Sequence, residues 1–531
     1  MDTWLWISDL PSAAAWDESN SPLIYQLASS NSTAGARNQS MQLKAERRFM
    51  SSTETAITFS VEVEGFQPPH TAKKTLWLSD ECPLSSDKPF LPLVLQLIRE
   101  IIDRSPIGHD SVGARSKLEQ LKREPIARML ETQSTESFSK FFNLIFLVRL
   151  FWLCACDAAT EVGCLYFNSL LVPGIEQLSR DMRMPVLRTF LLSVGVDFEL
   201  CVARAVGYIS AKCLILKEMS AGLQLLTPSA SNLGISYATE AHGLWVLKGY
   251  VPVQSMRCTR HNVPNDPFRI VDTKEAALRY VLAHQHLEAV VQFEYSVGFY
   301  DRYIQVSARI DNIRLHVVKL GFSSNDDMDY DGEVYFPSRI QVWVGPEIGS
   351  TCIAALCMRQ LTANTDRYIK MRKSIQSSFN DTTTPRINVT EKRIKMKDWK
   401  LDVNSEGNVA IYDFILCDKK TGLEVYNMKP PVIRSNSGTE KSEDSTRKYY
   451  IKIDRSFTKS GRIIFGSDDC LEEVNWRLSR EMEGSVLKWR IGCKAWVSYW
   501  PNQVESSYYH TRCIEWCHDV DLPLIPTPPC N

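Results

Sequence analysis

The chain lacks three things: an unbroken apolar run long enough to cross a bilayer, a charge excess of either sign, and a glycine-rich phosphate loop. The richest apolar stretch, residues 141–156, reads FFNLIFLVRLFWLCAC, with Arg149 near its centre. A spanning helix needs about 20 apolar residues, and a central arginine costs about 3 kcal/mol on insertion. The stretch therefore reads as a buried core helix, and no transmembrane helix is expected. With 61 Lys+Arg against 62 Asp+Glu the net charge is −1, so attraction to nucleic acid or lipid headgroups has to come from a local patch. Neither GxxxxGK[ST] nor GxGxxG occurs, which removes the two common nucleotide loops. The opening residues MDTWLWISDLPSAAAW hold no basic region and no sustained apolar core, so neither an export signal nor a transit peptide is expected.

Disulfide scaffolding is also missing from the pattern. The 15 cysteines are odd in number, and Cys154, Cys156, Cys164, Cys201 and Cys213 sit inside apolar runs. Free cysteine packs as a small hydrophobe, and such usage belongs to a reducing compartment. The expected location is intracellular and soluble, in cytoplasm or nucleus. Without an export signal, the Asn-x-Ser/Thr triplets at Asn31, Asn38, Asn380 and Asn388 carry no weight.

What is present is an ordinary globular composition, 44% apolar and 23% charged over 531 residues, enough for roughly three or four domains or two large ones. The periodicities predict an α+β fold: a central, mostly buried helical layer with antiparallel β-sheets before and after it in sequence. Residues 1–86 read as β-rich, because Ile57, Phe59, Val61 and Val63 alternate with polar residues and 73–78 repeats the pattern. Residues 87–226 read as helical. Pro92 suits a first turn, Val94, Leu97, Ile98, Ile101 and Ile102 make a stripe, and a long helical stretch is expected over 185–219, where Asp197 and Arg204 share a face and, with Arg149, read as solvated or core-edge charges ahead of a pairing. Residues 227–363 read as a short helix over 273–287 followed by a four-strand meander. Its strands carry Val291 to Val297, Ile304 to Ile310, Ile313 to Val317 and Ile340 to Val344, with a tight connection at Asp311 and Asn312. Residues 364–392 form a basic linker; the stretch 364–400 has ten Lys/Arg against four Asp/Glu. Residues 393–531 are β-rich again, with a helix expected over 471–482, ended by Gly484, and a long alternating strand over 487–499.

Five segments spread along the chain, FFNLIFLVRLFWLCACDA, ATEAHGLWVLKGY, FPSRIQVWVGPEIGS, MEGSVLKWRIG and RCIEWCHDVDLPL, together resemble a family of plant proteins. The resemblance covers most of the chain. It implies no activity, cofactor or catalytic residue.

The candidate chemistry is thin. His109, Asp110 and Ser111 within GHDSVG are adjacent in sequence, whereas triad members converge from separate segments, so a polar loop explains them. Cys513, Cys517 and His518 are zinc-ligand types without a second pair at zinc spacing. His284 and His286 read as satisfied or exposed histidines at a helix end. Asp327, Asp329 and Asp331 before Gly332 have calcium-loop spacing, but the twelfth position is Ser338 and not Glu, so a solvated turn is the stronger reading. Lys392, Arg393, Lys395 and Lys397 follow the linker, and Lys488, Arg490 and Lys494 stand with Trp496 and Trp500 on the polar side of the long strand. Cations interleaved with aromatics suit phosphate contact and base stacking, an anionic lipid surface, or Lys–Trp packing on a wet sheet face.

No constellation meets the requirements of an active site, so a non-enzymatic interaction or scaffold protein with a protein partner leads. Nucleic acid or anionic lipid could be met through the basic segment. A carrier or sensor of an apolar, lipid-like ligand and an enzyme of unrecognised type are the alternatives. No cofactor is expected.

Overall fold

The computed structural model describes residues 2–10, 21–30, 38–49, 55–66, 73–105, 107–108, 123–132, 134–171, 185–221, 234–253, 285–321, 335–347, 353–358, 367–369, 398–417, 424, 462–466, 473–499 and 510–526. They form an α+β protein with a buried helical region between antiparallel sheets, as the periodicities predict. Strands β1 (Leu23–Ser29), β2 (Ser40–Phe49), β3 (Thr55–Glu64) and β4 (Lys73–Leu78) lie in that order, and β5 (Cys82–Pro83) adds to β3. Thr58 and Ser60 of β3 are buried along with Phe59 and Val61, so this strand is dry on both faces where alternation alone predicts one wet face.

Helix α1 (Thr3–Asp9) is pinned to the helical region, because Asn143 Oδ1 accepts the Thr3 N–H at 3.1 Å. Helix α2 (Leu91–Arg104) carries Pro92 in its first turn, where a missing N–H leaves nothing unpaired, and buries the stripe Val94, Leu97, Ile98, Ile101. After α3 (Arg123–Thr132) comes α4 (Thr135–Trp152), capped by Ser134 and buried almost all round. With its continuation to Ala155 this helix is long and apolar enough to cross a membrane, and 78% of that window is buried inside the protein. Arg149 is paired within this core with Glu100 of α2, which also accepts the Trp77 indole N–H at 2.8 Å, and not with the charges of the later helices. Helix α5 (Thr160–Tyr166) follows. The helical stretch expected over 185–219 is two helices, α6 (Pro185–Val194) and α7 (Val196–Ala221), broken at Gly195 with a φ of +141° that glycine tolerates.

The second core lies between two larger sheets. In one, β7 (Ile235–Ala241), β8 (Leu244–Val253), β9 (Gln285–Phe299), β10 (Tyr303–Gly321), β17 (Glu473–Ser479) and β12 (Ile353–Met358) are neighbours in that order, while β6 (Ile107–Gly108) and β16 (Arg462–Gly466) pair along β10. In the other the order is β13 (Arg367–Ile369), β14 (Asp398–Glu406), β15 (Val409–Cys417), β11 (Phe336–Pro346), β18 (Val486–Tyr499), β19 (His510–Pro523). Their inner faces share one cluster, in which the Trp489 ring sits 6.1 Å from Trp245 and 5.1 Å from Trp476.

Four expectations are corrected here. Asp311 and Asn312 are not a turn: β10 runs straight through, and the register against β9 shifts between Ile310 and Asn312, as at a bulge. Ile340, Val342 and Val344 belong to β11 in the opposing sheet and not to the meander. Residues 473–479 are a strand, because Val474, Trp476 and Leu478 fill the sandwich core while the backbone pairs with both β10 and β12; only Arg480–Met482 winds, as a short 3-10 turn. Residues 285–287, placed at a helix end, open β9, and the rest of that predicted helix lies outside the described residues.

Candidate functional site

Strand alternation puts β8 and β9 in an unusual position. Trp245, Leu247 and Val251 of β8, with Leu287, Ala289 and Val291 of β9, point into the sandwich. The alternate positions, Lys248, Tyr250, His286 and Glu288, therefore point the other way, and that face is covered by α7. A sheet covered on both sides leaves no wet face, so charged residues on it must find partners across the seam.

They do so in two groups. Glu199 of α7 is 2% exposed, and its carboxylate accepts the Tyr237 hydroxyl and, at 2.8 Å, the Lys248 ammonium. Arg188 of α6 donates to the Ala238 carbonyl at 2.6 Å, with its guanidinium 5.3 Å from the centre of the Tyr237 ring. Burial pulls the Arg188 pKa down and pushes the Tyr250 hydroxyl up, the latter reinforced by the nearby Glu199 and Glu288 charges. One turn further along α7, Arg204 Nε donates to Glu288 Oε1 at 2.8 Å. Burial alone would raise the Glu288 carboxyl, but the Arg204 guanidinium hydrogen-bonded to it outweighs this and holds the carboxyl below its ordinary value.

His286 stands apart. It is 1% exposed, and neither ring nitrogen has a hydrogen-bond partner among the described residues. Its Nδ1 lies 3.6 Å from Glu288 Oε1, beyond hydrogen-bond distance, and its ring lies nearly parallel to Tyr250. On the other side the imidazole fills the space at Gly207 of α7, where a Cβ would stand 2.7 Å from Nε2. Burial, the dominant cause, holds its pKa below the ordinary value, so the ring is neutral at physiological pH. The expectation of a satisfied or exposed histidine is thus corrected. It fails because the sequence does not disclose that α7 covers the second face of β9.

Arg188, Glu199, Ala203, Tyr237 and Tyr250 line a small cleft beside the first group, about 300 Å³ including open solvent. The part a water can occupy has room for about one molecule. Chemically, the seam pairs each carboxylate with a cation on the opposing element and so fixes helix to sheet.

The sequence-singled residues fall elsewhere. Lys488 pairs with Asp521, Arg490 Nε with Asp519 at 3.1 Å, and Lys494 with Glu515 at 3.4 Å, all across the β18–β19 ladder. Trp496 lies on the same outer face, with the Arg339 guanidinium 4.7 Å and the Lys494 ammonium 5.5 Å from its ring centre. This is the cation–aromatic packing of a wet sheet face, with the cations matched by carboxylates. Cys513 and Cys517 point outward, whereas His518 turns inward to Ser236 Oγ at 2.8 Å, so the three do not converge. Among the described residues no group of three or more His, Cys, Asp or Glu could hold a metal. Lys392, Arg393, Lys395, Lys397, Trp500, Asp327, Asp329 and Asp331 lie outside the described residues, as do His109, Asp110, Ser111 and His284. The Asp197 side chain is likewise not described, and Arg204, expected beside it, pairs with Glu288.

One end of the sandwich has a different character. The β9–β10 turn meets the Arg480–Met482 turn, which is followed by a tie from Gly484 N–H to Leu524 O at 2.8 Å. Tyr300 stacks on Tyr303 with ring centres 4.8 Å apart, Arg477 lies over Tyr303 and Arg480 over Phe299. Tyr300 is 48% exposed there. Only assembly of two separated segments creates this cluster, so no local motif marks it.

No protein-family model and no curated protein matches the chain. Among solved structures it is similar, at 11% identity and a TM-score of 0.19, to the Clostridium perfringens delta-toxin, covering 54% of this chain and 96% of that one. It is also similar to the Clostridium perfringens NetB toxin in the membrane inserted form, at 11% identity and a TM-score of 0.16, covering 54% of this chain and 94% of that one. Likeness at that level carries no argument about this chain.

Proposed function

We propose that the chain is a non-enzymatic interaction protein that docks a protein partner at the aromatic–arginine end of its sandwich. The observation that carries the reading is the convergence of Phe299, Tyr300, Tyr303, Arg477 and Arg480 on that end. Tyr, Phe and Arg are the residue types enriched in the buried centres of protein interfaces. The cations of β18 support phosphate contact less well, since Asp521, Asp519 and Glu515 already match them. A carrier of a lipid-like ligand would need a pocket of roughly 300–1,000 Å³ that encloses its ligand. The seam cleft has enclosed room for about one water and does not favour that alternative.

The test places a photo-reactive phenylalanine analogue at Tyr300 and, as control, at Glu406, which is also exposed. The reading expects a discrete adduct with one other protein from Tyr300 that is absent from Glu406 and abolished by Arg477→Glu with Arg480→Glu. Identical adducts at both positions, or none, would refute it. A parallel arm neutralises Lys392, Arg393, Lys395 and Lys397; loss of the adduct there would add the basic stretch to the interface.

A further inference from the structure

We propose that the seam between α7 and strands β8–β9 is an acid-sensitive latch, in which His286 stays neutral only while the helix is closed over it and its protonation frees the helix from the sheet. The geometry is specific. His286 is sealed by Gly207 on one side and Tyr250 on the other, and both ring nitrogens are buried without partners among the described residues. A neutral imidazole can be housed this way at the cost of one unsatisfied donor. An imidazolium cannot, because it carries two donors and a charge that needs solvent or an anion.

The response to a proton depends on the charged and titratable groups around the ring. From α7 comes Arg204, a like charge; from β8 come Tyr250 and, further off, Lys248, already bound to Glu199; from β9 comes Glu288; and from β10, His316 stands opposite Glu288 in register, with apolar Val318 opposite His286. Among the described residues Glu288 is the one anion in reach, 3.6 Å from Nδ1, and in the closed seam it is the partner of Arg204. A protonated His286 therefore competes with Arg204 for Glu288. Success moves the carboxylate from a partner on the helix to a partner on its own strand. Nε2–H, pressed against Gly207, still has no acceptor until the helix lifts and water enters. Both consequences loosen the same contact.

The direction with pH is set by linkage. Burial holds His286 below its ordinary value of 6.5 in the closed seam, so the open seam binds more protons. Closure is complete above 6.5 and weakens as pH falls below it, by about tenfold in the open population per pH unit, until the closed-state pKa is passed. Glu288, held below its ordinary 4.5, is lost only below that value, so the interval from 6.5 to 5 isolates the histidine.

Hydrogen exchange on the full chain, corrected for the intrinsic pH dependence of amide exchange, reads this directly. At pH 5.5 relative to 7.5, amides in 198–210, 235–253 and 285–291 should lose protection about tenfold, while those of 486–499 and 510–523 stay unchanged. In His286→Phe, which keeps an aromatic ring that cannot titrate, the step should vanish. A wild type with equal protection at both pH values, or a variant that keeps the step, overturns the proposal. Should that variant fail to fold, the exchange rate of the His286 C2 hydrogen in the wild type decides: a midpoint below 6.5 is expected, and a midpoint at or above 6.5 contradicts the latch.

Discussion

Gly207 and His286 meet so closely that each fixes what the other can be. A methyl group at Gly207 would stand 2.7 Å from Nε2 of a ring locked between helix and sheet. Alanine in a helix interior normally gains about 1 kcal/mol over glycine. Here overpacking of about 1–3 kcal/mol opposes it, and Gly207→Ala should destabilise the protein by up to about 2 kcal/mol in urea unfolding. In a His286→Ala background the same change should become stabilising, and a cycle with no sign change would mean that the ring is not locked. Glu199 makes a second point at this scale. Removing it strands Lys248 in a covered face, so Glu199→Ala should cost about 3–5 kcal/mol, while Lys488→Ala on the open ladder should cost far less. Calorimetric melting of the two variants ranks them. From sequence, Lys488 stands out and Glu199 does not, because a lone acid in an apolar helix reads as a core-edge charge. The sequence pattern carries no sign of which faces become covered twice.

At the scale of elements, legibility followed the strength of local periodicity. The long strand over 487–499 and the helix around Arg149 were readable because their patterns persist over many residues and one period dominates. The segment 473–479 was not, since Val474 and Leu478 sit four apart, as helix neighbours do, and also share a strand face. Pairing with strands over a hundred residues away decided it. The break at Gly195 and the passage of β10 through Asp311 show the same limit at breaker residues, whose effect depends on the packing around them. Within the six-stranded sheet, Gly492 leaves no room for a side chain: a Cβ there would stand 2.1 Å from the Trp343 ring, which lies on it. Gly492→Ala should displace that indole, shift its fluorescence and destabilise the sandwich by about 1–3 kcal/mol. An unaltered emission spectrum would show that the ring does not rest on the glycine.

For the whole molecule, two hydrophobic cores meet at a seam whose polar groups pair across it. Acid should act on it in two stages. Chain stability in urea should fall first as pH drops below 6.5, through His286, and again below 4.5 as Glu288 begins to protonate. The His286→Phe variant should show only the second stage. A single loss confined to pH below 4.5 in the wild type would place no titrating histidine at the seam. The functional end was the least legible part. Tyr300 and Arg480 are far apart in sequence and come to one end only through sheet topology, which is why the cationic positions of β18, visible as a pattern, drew attention first.

The central claim, that the chain acts by holding a protein partner at the sandwich end, is tested most directly by affinity capture with wild type and Tyr300→Asp/Arg477→Glu/Arg480→Glu in parallel. None of these side chains is buried, so the melting temperature should be nearly unchanged. The account predicts loss of the partner that cross-links at Tyr300, with the fold intact. Retention of that partner at wild-type levels by the triple variant would contradict it.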